Sequence, residues 1–282
     1  MTDPSAQRAE IAARWDRAAT GWRRRAARVA TMGMPVSAWM IDRLRLQPGQ
    51  RVLELAAGPG DTGFMAAELV RPGGTLLCSD ASEAMLGVAR ERAAELGVPN
   101  AEFARLELEW IDLETASVDG VLCRWGLMFA LDREAAVREM RRVLRPGGRV
   151  ALSVWADPGL NPWATVPTRA LVELGHTQQP DPEAPGMFVL SEPARLRSLL
   201  EQGGFVEVEI EQVPISRTDK SVDAYIEETL DLSVPFADVM GRLSSDEREQ
   251  VAGRIGELAE PYRGVDGCLA FPGCALAGGA SA

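Results

Sequence analysis

Between Arg51 and Gly60 an apolar stretch, Val52-Leu53-Glu54-Leu55, runs straight into a turn of small residues, Ala56-Ala57-Gly58-Pro59-Gly60. A short apolar run that breaks this sharply, with helix-forming residues following from about Thr62 to Val70, reads as the opening of a βαβ unit. The unit recurs. Arg71-Pro72-Gly73-Gly74 is a turn, Thr75 to Ser79 a strand, and Ser82 to Leu96 a helix that Ser82 can cap. Weaker strand signal covers residues 101 to 106, with further strands at Val118 to Cys123 and Arg149 to Trp155; an amphipathic helix, Arg133 to Leu144, precedes the turn Arg145-Pro146-Gly147-Gly148. Such alternation predicts a doubly wound α/β core around a mostly parallel sheet.

The flanks read differently. Residues 5 to 45 have apolar positions at helical spacing and predict two or three helices, with breakers at Gly33, Met34 and Pro35. Residues 157 to 187, rich in Pro and Gly, predict a loop, and Glu192 to Gln202 a helix that ends at Gly203-Gly204. From Phe205 to Ile215, Val206, Val208 and Ile210 alternate with Glu207, Glu209 and Glu211, as in a strand near a sheet edge with one wet face. Two helices are expected over 221 to 262, and a closing strand over Cys268 to Ala277. The chain thus divides into an N-terminal helical part (1–46), the α/β core (47–156) and a C-terminal part (157–282) with a helical cap at about 219–262.

With 41 acidic and 30 basic residues the net charge is -11, so a phosphate backbone would be repelled on average and a nucleic-acid partner is not expected. Arg23, Arg24, Arg25 and Arg28 are a local exception, read as a solvated helix face. Cys78, Cys123, Cys268 and Cys274 form no CxxC pair, which points away from a zinc site or disulfide framework and toward a reducing cytoplasm. Neither a signal peptide nor a membrane span is expected. No His/Asp cluster has metal-ligand spacing, so no metal is expected.

The chemistry concentrates at the first turn. Small residues there let a ligand approach the backbone, at the carboxyl edge of the first strand, where open α/β sheets bind their ligands. Asp80, ending the second strand, can accept the hydroxyl hydrogens of a ribose. Gly58-Pro59-Gly60-Asp61-Thr62-Gly63 also fits G-x-G-x-x-G, so a nicotinamide dinucleotide satisfies the same features. Glu54 and Asp61 argue the other way: carboxylates beside the turn would face a pyrophosphate, yet suit an ammonium-bearing nucleoside without phosphate.

In order along the chain, Leu53-Glu54-Leu55-Ala56-Ala57-Gly58-Pro59-Gly60, Asp80-Ala81-Ser82-Glu83-Ala84-Met85 and Arg142-Val143-Leu144-Arg145-Pro146-Gly147-Gly148 resemble the motifs of the class I S-adenosylmethionine-dependent methyltransferases. The similarity is to the ubiquinone/menaquinone-methyltransferase-like group of small-molecule enzymes, over roughly residues 10 to 155. It implies a Rossmann-like fold with a seven-stranded sheet, an N-terminal helical lid, and an acceptor side formed by residues 157–282. By resemblance, Glu54 and the turn with Ala56, Gly58 and Gly60 hold the methionine portion of S-adenosylmethionine, Asp80 the ribose, and Met85, Glu107 and Leu108 the adenine, with Ala81, Leu106 and Arg124 as further cofactor contacts. Arg124 lies where cofactor and acceptor meet. Trp22, in an opening helix resembling the family's lid, would shield the sulfonium. Ala56 replaces the general glycine, which suggests no need for positive φ there.

For the acceptor, Trp125, Trp155 and Tyr225 are candidate contacts, and His176, the only histidine, is the candidate base; Tyr262 is a further alternative. The expected activity is methyl transfer to O, N or C of a small, apolar or aromatic molecule by in-line displacement, with S-adenosylhomocysteine as product. A nicotinamide-dependent oxidoreductase and a cofactor-binding protein without turnover are the competing readings. A homodimer is compatible with the sequence.

Overall fold

The computed structural model describes residues 4–282. Its centre is a seven-stranded sheet of β1 (Arg51–Glu54), β2 (Thr75–Asp80), β3 (Ala101–Arg105), β4 (Val118–Arg124), β5 (Leu144–Trp155), β6 (Val206–Asp219) and β7 (Leu269–Ser281), in the order β3-β2-β1-β4-β5-β7-β6. Only β7 runs antiparallel to its neighbours. The seven-stranded, doubly wound sheet expected from the sequence is present. Val52, Leu53, Val121, Leu122, Val150, Leu152 and Val154 are all completely buried, as central strands covered on both faces must be.

The topology locates the cleft. From β1 the chain winds outward through β2 and β3, then returns to place β4 on the other side of β1. The loops leaving β1 and β4 therefore diverge, the switch point at which open α/β sheets form their binding crevice. Helices α2 (Asp61–Leu69), α3 (Glu83–Leu96) and α4 (Arg133–Val143) make the crossovers. The Ser82 hydroxyl accepts from the Met85 N–H at 3.1 Å and caps α3 as its position suggested. The Arg145-Pro146-Gly147-Gly148 turn is an excursion within β5, where the pairing with β4 shifts register between Val118 and Gly120.

Several flanking expectations need correction. Residues Pro4–Leu44 form one 41-residue helix, α1, that runs through Gly33 and Pro35. Pro35 forfeits one backbone bond, but Val29, Val36, Met40 and Leu44 are buried in the main core on either side of it, and that packing outweighs the local break. The 157–187 segment is not all loop, for Pro162–Glu173 is a helix, α5, with Pro162 in its first turn, where proline is well placed. Helix α6 (Pro193–Gln202) is as expected, but 221–262 holds three α-helices, α7 (Val222–Leu232), α8 (Val234–Met240) and α9 (Ser245–Ala259), followed by a single 3-10 turn, Glu260–Tyr262. A serine at 233 ends α7 and caps α8, a turn too short to read from periodicity. Strand β6 lies at the sheet edge with its glutamates outward.

The arginine run on α1 is exposed at Arg24 and Arg28, as a solvated face would be, but all four side chains are ion-paired. Arg24 reaches Asp231 at 2.6 Å, Arg25 reaches Glu227 at 2.7 Å as well as Asp231, and Arg28 pairs with Glu228 and with Asp219 at 3.2 Å. Arg23 bonds Glu95 on α3. Since Asp219 and Glu228 are almost fully buried, these cations compensate acids of the cap and fasten α1 to α7. Among the described residues, no helix is long and apolar enough to cross a membrane, and no group of three His, Cys, Asp or Glu is placed to hold a metal ion.

Candidate active site

A cleft opens at the carboxyl ends of β1, β2 and β4. Its floor is Ala56, Ala57, Gly58 and Pro59, one wall is Asp80, Ala81, Met85 and Leu106 to Glu109, and another is Arg124 to Gly126 with Phe129 to Leu131. Helix α1 roofs it with Arg8, Ile11, Ala12, Trp15 and Trp22. Most of the residues singled out for cofactor binding thus converge: Trp22, Ala56, Gly58, Asp80, Ala81, Met85, Leu106, Glu107, Leu108 and Arg124 all line this cleft, as does Trp125. Glu54 and Gly60 do not.

Asp80 is the anchor. One carboxylate oxygen accepts from the Gly58 N–H and the other from the Ser82 N–H, each at 2.9 Å, so a single side chain holds the first turn against the start of α3. Burial pushes its pKa up to about 6, opposed by those backbone donors, with the charge of Glu107 adding to the rise. Half-buried Glu107 is also raised, by desolvation and then by Glu109. The Glu109 carboxylate accepts from the Leu131 N–H at 2.9 Å, which ties the loop after β3 to the loop after β4.

Glu54 behaves otherwise than its charge suggested. It is 2% exposed, accepts from the Gly63 N–H at 2.8 Å and receives the Cys78 thiol at 3.8 Å. A Cβ on Gly63 would stand 2.2 Å from its Oε2, so the last glycine of the G-x-G-x-x-G pattern makes room for this carboxyl and not for a phosphate. Desolvation carries its pKa up to about 8, and near neutrality the group is largely protonated. Asp61 is no free anion either, because Arg92 bonds it directly and Arg124 stands 3.7 Å away. Contrary to the sequence reading, neither acid presents a charge to the cleft; Asp80 and Glu107 line it.

Ala56 corrects another expectation. Its φ is 49°, in the left-handed region where a Cβ costs roughly 1–2 kcal/mol. Gly126 packs against it, since a Cβ on Gly126 would meet the Ala56 Cβ at 2.4 Å. Ala56→Gly should therefore raise Tm by about 2 °C, offset in part by glycine's larger unfolded-state entropy. Thermal unfolding followed by circular dichroism checks this; an unchanged or lower Tm would show that the alanine is unstrained.

The acceptor candidates mostly fall elsewhere. His176 lies in the turn after α5, outside the cleft lining. Tyr225 is fully buried in the cap core, its hydroxyl donating to the Trp163 carbonyl at 2.6 Å, and Tyr262 packs on Phe271 in the same core. Trp155 stands behind Trp125, stacked on it at 4.3 Å between ring centroids. No residue of 157–282 lines the cleft; the cap is occupied in packing against α1, α5 and β7. The α1 residues Arg8, Ile11, Ala12 and Trp15 were missed, although their i, i+3/i+4, i+7 spacing marks one face of a helix.

The profile of a methyltransferase domain matches residues 52–148, the segment that carries the turn, Asp80 and β4. This core is similar to a methyltransferase domain. Over 127 residues the chain is 34% identical to the ubiquinone/menaquinone biosynthesis C-methyltransferase UbiE of Pasteurella multocida, covering 45% of this chain and 47% of that protein. A UbiE of Ectopseudomonas mendocina is 36% identical over 120 residues, 42% of this chain and 47% of the relative. The chain thus spans about half the length of the curated relatives it matches. In fold, the core and its flanks resemble the YcgJ protein of Bacillus subtilis, with a TM-score of 0.57 at 20% identity over 87% of this chain and 97% of that one.

Proposed function

We propose that the protein transfers a methyl group from S-adenosylmethionine to a small, largely apolar acceptor. The observation that carries this reading is the state of the first turn. Gly58 and Gly63 already donate their N–H groups to Asp80 and Glu54, and Gly60 donates to Ala57. A pyrophosphate needs such donors free at a helix N-terminus; a nucleoside without phosphate does not. The turn suits close approach of an uncharged ribose or thioether, for a Cβ on Gly58 would meet nothing within 4 Å.

In this reading Asp80 accepts from the ribose hydroxyls with its remaining lone pairs. Met85 and Leu106 pack on the adenine, and Glu107 accepts from its amine. Bound S-adenosylmethionine supplies an already activated methyl on a sulfonium, so the chain's work is alignment and exclusion of water. Trp15 and Trp22 on α1 keep water out. Trp22 is fixed by its indole N–H donating to the Leu232 carbonyl at 3.2 Å, and Trp15 packs edge-on against Phe129 at 5.2 Å. Residues 4–44 then act as the lid and 47–156 as the cofactor domain, while 157–282 buttress the lid. The four free cysteines accord with work in the cytoplasm.

Calorimetric titration with S-adenosylhomocysteine and with NADH tests the proposal. Binding of the thioether and none of NADH is expected. The reverse pattern would replace methyl transfer by a nicotinamide reading, and binding without donor consumption across an acceptor panel would leave a cofactor-binding protein.

A further inference from the structure

Helix α3 has two caps. Its own Ser82 accepts from the Met85 N–H, and from α1, 66 positions earlier, the Asp16 carboxylate reaches the same helix end. Asp16 Oδ1 accepts from the Ser82 hydroxyl at 2.6 Å and from the Ala84 N–H at 3.3 Å. A negative charge there also meets the positive end of the helix dipole. Because the Ser82 N–H donates to Asp80, which in turn holds Gly58, one chain of hydrogen bonds runs from the roof helix to the floor of the cleft. Asp16 itself does not line the cleft.

Helix α1 meets its two neighbours along two different stripes. Asp16, Ala19 and Arg23, spaced i, i+3, i+7, face α3: Ala19 is buried with Met85 and Val88, and Arg23 pairs with Glu91 at 3.7 Å and with Glu95. Arg17, Gly21, Arg24 and Arg28 face the cap, where they meet Asp238, Asp231 and Glu228. The two seams differ in strength. Against α7 the packing is so close that a Cβ on Gly21 would lie 2.0 Å from the Asp231 carbonyl oxygen, and the Asp231 side chain, shared by Arg24 and Arg25, is only 12% exposed. Against α3, by contrast, Asp16, Glu91 and Glu95 are all exposed, and exposed pairs hold little.

The cleft is shut beneath this roof. Its free volume is about 110 Å³, against roughly 300–1,000 Å³ for sites that enclose a small molecule. Ile11, Ala12 and Trp15 of α1 close it from above, so a nucleoside the size of S-adenosylmethionine enters only when α1 lifts. The cap to which α1 is bound has a hydrophobic core of its own, separate from the main core, and can move with it. Pro35, where the backbone ladder of α1 is interrupted, lies between the roof and the buried Val36, Met40 and Leu44, the place for such a bend.

We infer that S-adenosylmethionine enters and leaves between α1 and α3, and that Asp16 is the positioning residue that closes this entrance, acting through Ser82. The inference rests on the methyl-transfer reading and deepens it by assigning the cofactor's route and the residue that guards it. With the latch made, α1 and the cap hold Trp15 and Trp22 over the cleft. With it broken, the exposed carboxylate turns to water and the helices part along Ala19, Met85 and Val88. The same contact closes the empty and the filled cleft, so it slows entry and exit alike without setting the affinity.

Stopped-flow mixing with S-adenosylhomocysteine, followed by tryptophan fluorescence, gives the association rate from the concentration dependence and the dissociation rate from the intercept. Asp16→Ala should raise both rates about fivefold, the worth of one helix cap, and leave Kd within about twofold of wild type. Asp16→Asn, which keeps an oxygen for Ser82 and Ala84, should bring both rates back to within about twofold. On the cap side, Asp231→Asn should leave both rates within about twofold of wild type; Arg17→Gln, which frees α1 from Asp238, replaces it if that variant does not fold. Unchanged rates in Asp16→Ala overturn the inference. So does a faster exit with unaltered entry, because Asp16 then supports only the bound state. A larger acceleration in the cap-side variant also overturns it, since α1 then parts from the cap. Wild type that binds no S-adenosylhomocysteine overturns the methyl-transfer reading itself.

Discussion

Asp80→Ala should weaken S-adenosylhomocysteine binding about a hundredfold. The carboxylate does two things at once: it accepts from the Gly58 and Ser82 N–H groups, and in the proposed site it offers its remaining lone pairs to the ribose. Removing it leaves the turn after β1 without its tie to α3 and the ribose without its acceptor. Charge-assisted hydrogen bonds are worth about 1.5–3 kcal/mol each, and losing one or two of them corresponds to roughly two decades in affinity. Asp80→Asn keeps one acceptor oxygen but turns an amide N–H toward a backbone N–H, so an intermediate loss near tenfold is expected. Because burial holds the group at a pKa of about 6, wild-type affinity should decline as pH falls through that value. Calorimetry across pH 5 to 8 on the three proteins checks all of this; affinity unaltered in Asp80→Ala would remove the ribose from this end of the cleft.

The core was legible because its signals are local. Apolar runs ending in glycine turns, repeated with helices between, leave few arrangements other than a parallel sheet, and the match over residues 52–148 falls on that stretch. Asp80 and the turn were legible for the same reason: each is fixed by a strand end. The flanks were not, because tertiary contacts decide them. Gly33-Met34-Pro35 reads as a break, yet α1 continues through it since the buried residues on both sides keep one helical face on the core. Likewise, the partners of Arg24, Arg25 and Arg28 lie about two hundred positions away in α7 and at the end of β6, beyond any spacing rule.

Side-chain direction was the other limit. Trp155 and Tyr225 are aromatic residues close in sequence to places where an acceptor could sit, but whether such a ring faces a cleft or a core depends on what packs behind it. Here Trp155 backs Trp125, and Tyr225 fills the cap. The roof residues of α1 carried the opposite error: their spacing marks a face, but nothing local says that the face meets a cleft. Charge was misjudged in a related way, because a carboxylate in the sequence becomes a ligand-facing anion only if the fold leaves it solvated or aimed outward.

Glu54→Gln decides that last point. The group's folded pKa of about 8 lies above the ordinary glutamate value of 4.5, so the stability it contributes is full below about pH 4.5 and is lost as pH rises toward 8, where the buried carboxyl must ionise. A shift of this size corresponds to about 5 kcal/mol. The amide can still accept from the Gly63 N–H and does not ionise. The variant should match wild type near pH 4.5 and exceed it by several kcal/mol at pH 9, while the smaller slope from Asp80, which is raised from 3.8 to about 6, remains in both proteins. Urea unfolding at a series of pH values measures the difference, and parallel curves would mean that Glu54 ionises freely in the folded state. Binding separates the two views of this residue most sharply. Glu54 lies beneath the turn and outside the cleft lining, so S-adenosylhomocysteine affinity should stay within threefold of wild type. A tenfold loss would restore the direct contact with the amino-acid group that the sequence alone suggested.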